Sequence, residues 1–247
     1  MLYQPPTWLP GGHLQTIWSA RAAQRHSGPA PRFRRERWNT PDGDFIEVDF
    51  LVDESSSATG RKKGLLVLFH GLEGSSQSHY ALAFAAWAEA QGLAFAIPHF
   101  RGCGSELNLA ARAYHSGDHD EIQWILSRMA CHPERPLAGP LLVVGISLGG
   151  NALMRWAGEW GFGSRRSVDA AAAVCAPLDL NASGHAIGRG LNRYLYTPMF
   201  LRTLKPKAMA KLSQFPGLFD PARLHAARTL HEFDDAFTAP VHGFQDA

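Results

Sequence analysis

Four short apolar runs alternate with helical stretches through the middle of the chain, and this alternation limits the fold class most. The runs cover residues 65–69, 93–97, 141–144 and 170–174, and they contain no polar residue, as expected of strands buried on both faces. Helical patterns over 79–91, 120–129 and 151–160 separate them. Strands and helices in this order predict right-handed βαβ units, and therefore a largely parallel sheet with helices on both faces. Residues 45–51 precede this region and are predicted to form a strand with one solvated face.

The rest of the chain is predicted to lie around this sheet. The 247 residues, 45% of them hydrophobic, are enough for one sizeable core. Residues 1–43 hold six prolines and six arginines and are predicted to form an irregular arm, either solvated or facing an anionic surface. Residues 44–180 form the predicted core. Residues 181–247 combine prolines with helical patterns and are predicted to be a helical lid over the carboxyl ends of the strands.

Charge and cysteine content bound the environment of the chain. A net charge of +2 indicates no nucleic-acid partner. Cys103, Cys131 and Cys175 are odd in number and lack paired spacing, which favours a reducing compartment over disulfides or structural zinc. The N-terminus lacks a secretory pattern, and no apolar run approaches the roughly 18 residues of a membrane span. We therefore expect a soluble, cytoplasmic protein, with peripheral membrane contact left open. The glycosylation pattern at 181–183 is attributed to chance.

One serine lies between two glycines at the end of an apolar run. The segment 145–149, G-I-S-L-G, matches G-x-S-x-G, with a predicted strand before it and a predicted helix after it. A strand that reverses sharply into a helix leaves no room for side chains two positions either side of the apex. We therefore predict that Ser147 is a nucleophile exposed at a helix N-terminus. The alternative is a glycine-rich turn whose serine only caps the helix.

A serine nucleophile needs amide hydrogens to hold the negative charge that develops on the substrate oxygen. The segment H-G-L-E-G at 70–74 directly follows a predicted buried strand, where such a loop belongs. We expect the backbone N–H groups of Leu72 and Leu148 to form the oxyanion hole, and His70 and Gly71 to support the loop. The alternative is that this loop is only a tight turn between strand and helix.

Seven ordered motifs resemble those of the YheT-like branch of the α/β-hydrolase superfamily, which is related to eukaryotic ABHD-type lipases. They lie at 12–16, 70–74, 99–103, 114–117, 145–151, 231–235 and 241–244. The resemblance implies an α/β-hydrolase fold with a helical lid, and an esterase or lipase that acts on acyl esters or lipids through Ser147. It implies no cofactor and no metal.

The resemblance does not assign the acid and the histidine that activate such a serine. The family carries both after two further strands, beyond the last motif matched here, so those strands are expected to be missing from this chain. Asp179 follows the fourth apolar run and is a candidate substitute acid, although the family does not use it. Four later histidines are candidate bases, and each is better explained as a lid or surface residue: His185, His225, His231 and His242. Asp234 and Asp235 are predicted to tie the lid to the sheet.

Three further groups of residues keep two interpretations each. The cluster His115, Asp118, His119 and Asp120 contains groups that bind metals, but a helix N-terminus explains its acids better. Arg101 is predicted to organise a strand end, with substrate contact as the lesser alternative. Five apolar residues of the lid either line an acyl pocket or pack the lid on the core: Leu191, Leu195, Met199, Phe200 and Leu201.

The sequence thus predicts a serine hydrolase of the carboxylesterase or lipase type. Two alternatives stay open: an acyltransferase that passes the same acyl group to an alcohol, and a catalytically incomplete protein with a hydrolase fold. Because the acid and histidine are unassigned, we expect this chain to turn over p-nitrophenyl esters little or not at all.

Overall fold

The computed structural model describes residues 4–23, 26, 28–52, 62–136, 138–161 and 168–247. Six strands form one sheet: β1 (Phe33–Asn39), β2 (Phe45–Leu51), β3 (Leu65–Phe69), β4 (Ala94–His99), β5 (Leu141–Ile146) and β6 (Ala170–Val174). The helices before and between the strands are α1 (Gly11–Arg21), α2 (His79–Gln91), α3 (His119–Ala130) and α4 (Leu148–Trp160). The helices after β6 are α5 (Leu180–Ile187), α6 (Gly190–Leu195), α7 (Thr197–Gln214), α8 (Pro221–Ala226), α9 (Leu230–Phe233) and α10 (Ala239–His242).

The strands lie in the order β1-β2-β4-β3-β5-β6. The pairs β1–β2 and β2–β4 are antiparallel, and the pairs formed by β3, β4, β5 and β6 are parallel. The predicted, mostly parallel sheet is confirmed. In the β3–β5 pair, Phe69 lies opposite Gly145. The loop after β3 and the turn after β5 therefore meet at the same carboxyl edge of the sheet.

The sheet has helices on both faces because its central strands are apolar on both. Alternate side chains of β3 point to opposite sides: Val67 joins a core with α3 and α4, whereas Leu66 joins a second core with α2. The first core includes the fully buried Trp156 of α4, and the second is built on small alanines of α2 such as Ala85. The two cores therefore pack against the strands that lead into the loop after β3 and the turn after β5.

The prediction that residues 1–43 are irregular was wrong for two described segments. Residues Phe33–Asn39 form β1, which pairs along its whole length with β2, and Gly11–Arg21 form α1. Arg35 lies on β1 and makes two hydrogen bonds of 2.7 Å to the buried Asp49 of β2. The arginines of this strand remain exposed to solvent and also pair with acids: Arg34 with Glu134, Arg35 with Asp49 and Arg37 with Glu106. Arg25 lies outside the described residues.

Two strands differ from their predicted environment. β2 was expected to have one solvated face, but its first six residues are all buried. Its acidic residues are compatible with burial because they are paired: Asp49 with Arg35, His99 and Ser76, and Glu47 with Ser105. The predicted buried strand at 170–174 does form β6, but all five of its residues are exposed. Alanine and valine are apolar enough for a buried strand and small enough for an exposed one. A run of these residues therefore does not show whether the strand is buried or exposed.

The chain after β6 is helical over the described residues 175–247, as predicted for a lid. A π-helical turn (Asp234–Thr238) joins α9 to α10. These elements share a small core of their own around Leu204, Phe219 and Phe237, and Leu72 of the loop after β3 packs against it. The lid is therefore in contact with the loop that follows β3. None of the described helices is both long and apolar enough to cross a membrane.

Candidate active site

Ser147 lies at the tight turn between β5 and α4 and has φ 51° and ψ −117°, a conformation that L-residues rarely adopt. Its N–H donates to the carbonyl of Val174 at 2.9 Å, which holds the turn against β6. The flanking glycines allow a close approach of backbone to backbone. A Cβ on Gly145 would lie 2.5 Å from the carbonyl oxygen of Gly149, and one on Gly149 would lie 2.4 Å from that of His70. The predicted strand–turn–helix around Ser147 is confirmed.

Two amides near Ser147, the N–H groups of Leu72 and Leu148, donate no hydrogen bond within the part of the chain that the structure describes. The neighbouring amides of the loop after β3 are all bonded: Gly71 N–H to Tyr80 Oη at 3.0 Å, Glu73 N–H to Tyr114 Oη at 3.0 Å, and Gly74 N–H to the Gly71 carbonyl at 2.9 Å. Leu148 is the first residue of α4, so its N–H also lies at the positive end of the helix dipole. Leu72 and Leu148 line the same cavity as Ser147.

His70 is fully buried and links two strand ends. Its Nε2 accepts the N–H of Phe100 at 3.1 Å, so Nδ1 carries the proton and donates to the Gly71 carbonyl at 2.7 Å. Burial lowers the pKa of His70 to about 3, and the ring is neutral at pH 7. His70 thus contacts the loop it is predicted to support, and the supporting role stays a prediction. Both ring nitrogens are occupied, so His70 is not available as a base for Ser147.

No described side chain hydrogen-bonds to Ser147 Oγ. The residues that the sequence offers as a substitute acid or base make other contacts. Asp179 caps α5 by accepting the N–H of Ala182 at 2.8 Å. His185 and His231 line the cavity and lie 5.9 Å from each other, and His242 packs edge-on against His115 at 4.5 Å. The backbone carbonyl of His225 accepts a hydrogen bond from Lys205 Nζ. The described residues do not supply a base in contact with the serine.

A cavity of about 930 Å³ opens beside Ser147, a size that holds a lipid-like or drug-sized ligand. Its wall on the lid side is mostly apolar and includes Leu180, Ile187, Phe200, Leu204, Leu230 and Phe237, but charged and titratable side chains such as Lys207, His231 and Asp234 line it as well. Of the five lid residues singled out from the sequence, Phe200 lines the cavity and Leu201 packs in the lid core. Leu191, Leu195 and Met199 are exposed and belong to neither.

Arg101 organises the end of β4, as predicted, and also borders the cavity. Its buried guanidinium donates to Asp42 at 2.9 Å, to Asp44 at 2.8 Å and to Glu121 at 2.5 Å. Three carboxylates raise the pKa of Arg101 against the opposing effect of its burial. This cluster joins β2, β4 and α3 below the site.

The cluster around His115 is a helix start with internal contacts. Asp118 occupies the N-cap position of α3, but its carboxylate accepts from Arg112 and makes no capping bond. His115 Nδ1 accepts the N–H of Gly117 at 3.1 Å. Among the described residues, no group of three or more His, Cys, Asp or Glu side chains is arranged to hold a metal.

Asp234 and Asp235 do not tie the lid to the sheet as predicted. Asp234 accepts from Thr238 at 2.6 Å, and Asp235 accepts the N–H of Ala247 at 2.9 Å, so both bond within the lid region. A π-helical turn places these acids on the inner side of the lid segment, where burial raises the pKa of Asp234.

Three residues in or beside the loop after β3 have no role predicted from the sequence. Glu73 lies in the loop, Tyr114 bonds to it, and Lys207 of α7 forms an ion pair with it at 2.9 Å. Glu73 and Tyr114 lie in the H-G-L-E-G and Y-H-S-G segments. An acid and a phenol in glycine-rich turns were therefore the only sequence features that could have indicated a role for them. Lys207 is an ordinary lysine in a helical pattern and carried none.

No family model matches the chain. Individual known proteins do match it over most of its length. YheT of Escherichia coli is 37% identical over 238 residues, which cover 95% of this chain and 66% of YheT. Human phospholipase ABHD3 is 25% identical over 245 residues, covering 98% of the chain and 58% of ABHD3. Monoacylglycerol lipase ABHD2 of Danio rerio is 26% identical over 252 residues and is also covered to 58%. The chain thus spans between 58% and 66% of the length of these relatives.

Solved structures support the same fold. Esterase Pf2001 of Pyrococcus furiosus superposes with a TM-score of 0.50 at 14% identity, covering 74% of this chain and 66% of the esterase. At that identity the likeness concerns the fold alone. Together with the sheet order and the relatives above, it confirms the predicted fold: the chain belongs to the α/β-hydrolase superfamily, in the family of YheT and ABHD3.

Proposed function

We propose that this chain carries the nucleophile and oxyanion hole of a carboxylic-ester hydrolase, with Ser147 as the nucleophile. One observation carries the proposal: a strained serine shares a largely apolar cavity with two unpaired amides, those of Leu72 and Leu148. The relatives named phospholipase and monoacylglycerol lipase support the ester-hydrolysing class. The apolar lid wall favours an acyl ester with a hydrocarbon chain over a charged substrate.

In the proposed reaction, Ser147 Oγ attacks the ester carbonyl carbon while its proton passes to an acceptor. The carbonyl oxygen becomes an oxyanion and accepts the N–H groups of Leu72 and Leu148. The tetrahedral intermediate expels the alcohol and leaves an acyl group on Ser147, and water then releases the carboxylic acid. Since no described residue accepts the proton from Oγ, acylation is expected to be slow in this chain and deacylation slower still.

A fluorophosphonate probe tests the nucleophile, because it forms a stable bond to an activated serine and does not need the later hydrolysis step. Because no described residue accepts the Oγ proton, we expect slow labelling of Ser147 that builds up over long incubation with excess probe, identified by peptide mass spectrometry, and no labelling of Ser147→Ala. Ser183→Ala is the matched control, since Ser183 lines the same cavity, and it should label like the parent protein. Wild-type protein that resists the probe, or Ser147→Ala that reacts normally, would refute the assignment.

A second candidate is a hydrolase-fold protein that binds acyl ligands without chemistry. The lack of a hydrogen bond from any described residue to Ser147 Oγ favours it. This protein would bind a fluorescent fatty-acyl probe in the cavity but remain unlabelled by the fluorophosphonate. The two measurements together separate the candidates.

A further inference from the structure

The loop after β3 adopts a turn that its sequence does not favour by itself. The Gly74 N–H donates to the Gly71 carbonyl at 2.9 Å, which closes a four-residue turn. Glu73, at its third position, has φ 57°, the left-handed region that favours glycine. A glutamate here needs contacts that stabilise the strained conformation.

Tyr114 supplies the first of these contacts, and it holds both ends of the glutamate. Its hydroxyl accepts the Glu73 N–H at 3.0 Å and donates to Glu73 Oε1 at 3.0 Å. The ring is stacked on Phe100, with 5.5 Å between ring centres and 5° between planes. Burial keeps the pKa of Tyr114 well above its ordinary value, so the phenol remains a donor at neutral pH. One hydroxyl thus fixes the peptide that joins Leu72 to Glu73.

Lys207 supplies the second contact, and it comes from the lid. Its ammonium lies 2.9 Å from Glu73 Oε2, and the glutamate side chain is only 8% exposed. Lys211, one turn further along α7, donates to the carbonyls of Asn108 and Ala110. Lysines four residues apart therefore attach the same face of α7 to the loops that border the cavity.

We propose that Lys207 and Tyr114 are positioning residues, which clamp Glu73 and so aim the Leu72 N–H at the oxyanion. The inference rests on the proposed function of Ser147 and extends it to the lid. The Leu72 N–H belongs to the peptide that joins Gly71 to Leu72, one unit before the peptide that Tyr114 holds. The turn closed by Gly71 and Gly74 contains both units, so release of the Glu73 conformation also lets the Leu72 N–H reorient. Without Lys207, the Glu73 carboxylate is buried without a cation and moves toward water, which releases the strained turn. The oxyanion hole is then complete only when α7 is seated on the core.

Hydrogen exchange tests the clamp without requiring any reactivity. We expect Lys207→Met and Tyr114→Phe each to raise amide exchange in peptides covering 71–78 by about tenfold, while β3 stays protected. Lys205→Met is the matched control: it removes the same charge from the same helix, but Lys205 bonds within the lid, to the His225 carbonyl. Unchanged exchange in both clamp variants, or an equal rise in Lys205→Met, would overturn the proposal.

Labelling kinetics test the positioning role. In the fluorophosphonate reaction, Lys207→Met should lower the maximal rate constant of labelling about tenfold, less than the 10²–10³ for loss of a whole oxyanion donor, with the half-saturating probe concentration within about twofold of the parent. Lys207→Arg should restore most of the rate, because it keeps the ion pair. A lysine that merely binds the probe would instead change the half-saturating concentration, and that result would also overturn the proposal.

The two failures are distinguishable. If wild-type protein does not label at Ser147, the proposed function fails, and exchange alone then decides whether the clamp exists. If wild-type protein labels but Lys207→Met labels equally fast, the proposed function stands and the positioning role falls.

Discussion

Gly149 is the residue at which a single added methyl group should be most informative. An alanine Cβ there would lie 2.4 Å from the His70 carbonyl oxygen and 2.5 Å from that of Phe69. Ordinary contact begins at 3.4 Å, so the start of α4 must move about 1 Å away from the end of β3. Both obstacles are backbone atoms of a buried strand end, which leaves no flexible side chain to give way.

The expected cost follows from that displacement. Overpacking of this kind costs about 2–3 kcal/mol of unfolding free energy. For a chain of this size, such a loss lowers the midpoint of thermal unfolding by about 5–10 °C. Gly158→Ala, on the same helix, is the control, because a Cβ there meets nothing within 4 Å. Since alanine favours the helix, Gly158→Ala should stabilise the protein by about 0.5–1 kcal/mol.

Urea and thermal unfolding of the two variants decide the question. Opposite signs at Gly149 and Gly158 are the expected result. Equal stability of Gly149→Ala and the parent protein, with Gly158→Ala stabilised as expected, would refute the close packing of the turn on β3.

Two further substitutions test buried polar contacts. Burial raises the pKa of Asp49, but hydrogen bonds from three donors, led by Arg35, outweigh burial and hold it well below 3.8. The stability that the Asp49 carboxylate contributes is complete above pH 3.8 and is lost as the pH falls toward the pKa of Asp49 in the folded protein. Asp49→Asn should therefore flatten the acid limb of a plot of unfolding free energy against pH. An unchanged slope would contradict this. Lys211→Met leaves two backbone carbonyls without their buried donor, so it should lower the free energy of unfolding by about 2–4 kcal/mol and speed proteolysis of the lid. The free energy of unfolding of Lys205→Met should stay within about 0.5 kcal/mol of the parent protein.

The parallel core and the serine turn could be predicted because their patterns are local. An apolar run followed by G-x-S-x-G constrains the backbone over nine residues, and β5, Ser147 and α4 follow that order. β1 could not be recognised in the same way. Its sequence F-R-R-E-R-W-N looks solvated, yet the strand is held by ion pairs such as Arg35 to Asp49, whose partner comes from another strand.

The contacts around the loop after β3 were beyond sequence reasoning for a similar cause. Glu73 and Lys207 are 134 positions apart, and their ion pair depends on how α7 lies over the sheet. The positions of Leu72 and Leu148 were easier to predict, since one follows a strand end and the other begins a helix. Whether Leu72 and Leu148 hold an oxyanion remains a prediction for the labelling experiments.

The tautomer of His70 has a practical consequence for anyone who titrates this protein. With one nitrogen donating to Gly71 and the other accepting from Phe100, the ring can take up a second proton only by losing the Phe100 contact. At a pKa of about 3, that event lies below the range in which enzymes are usually assayed. An inflection between pH 5 and 8 in any rate measured on this chain therefore reports a titratable group other than His70.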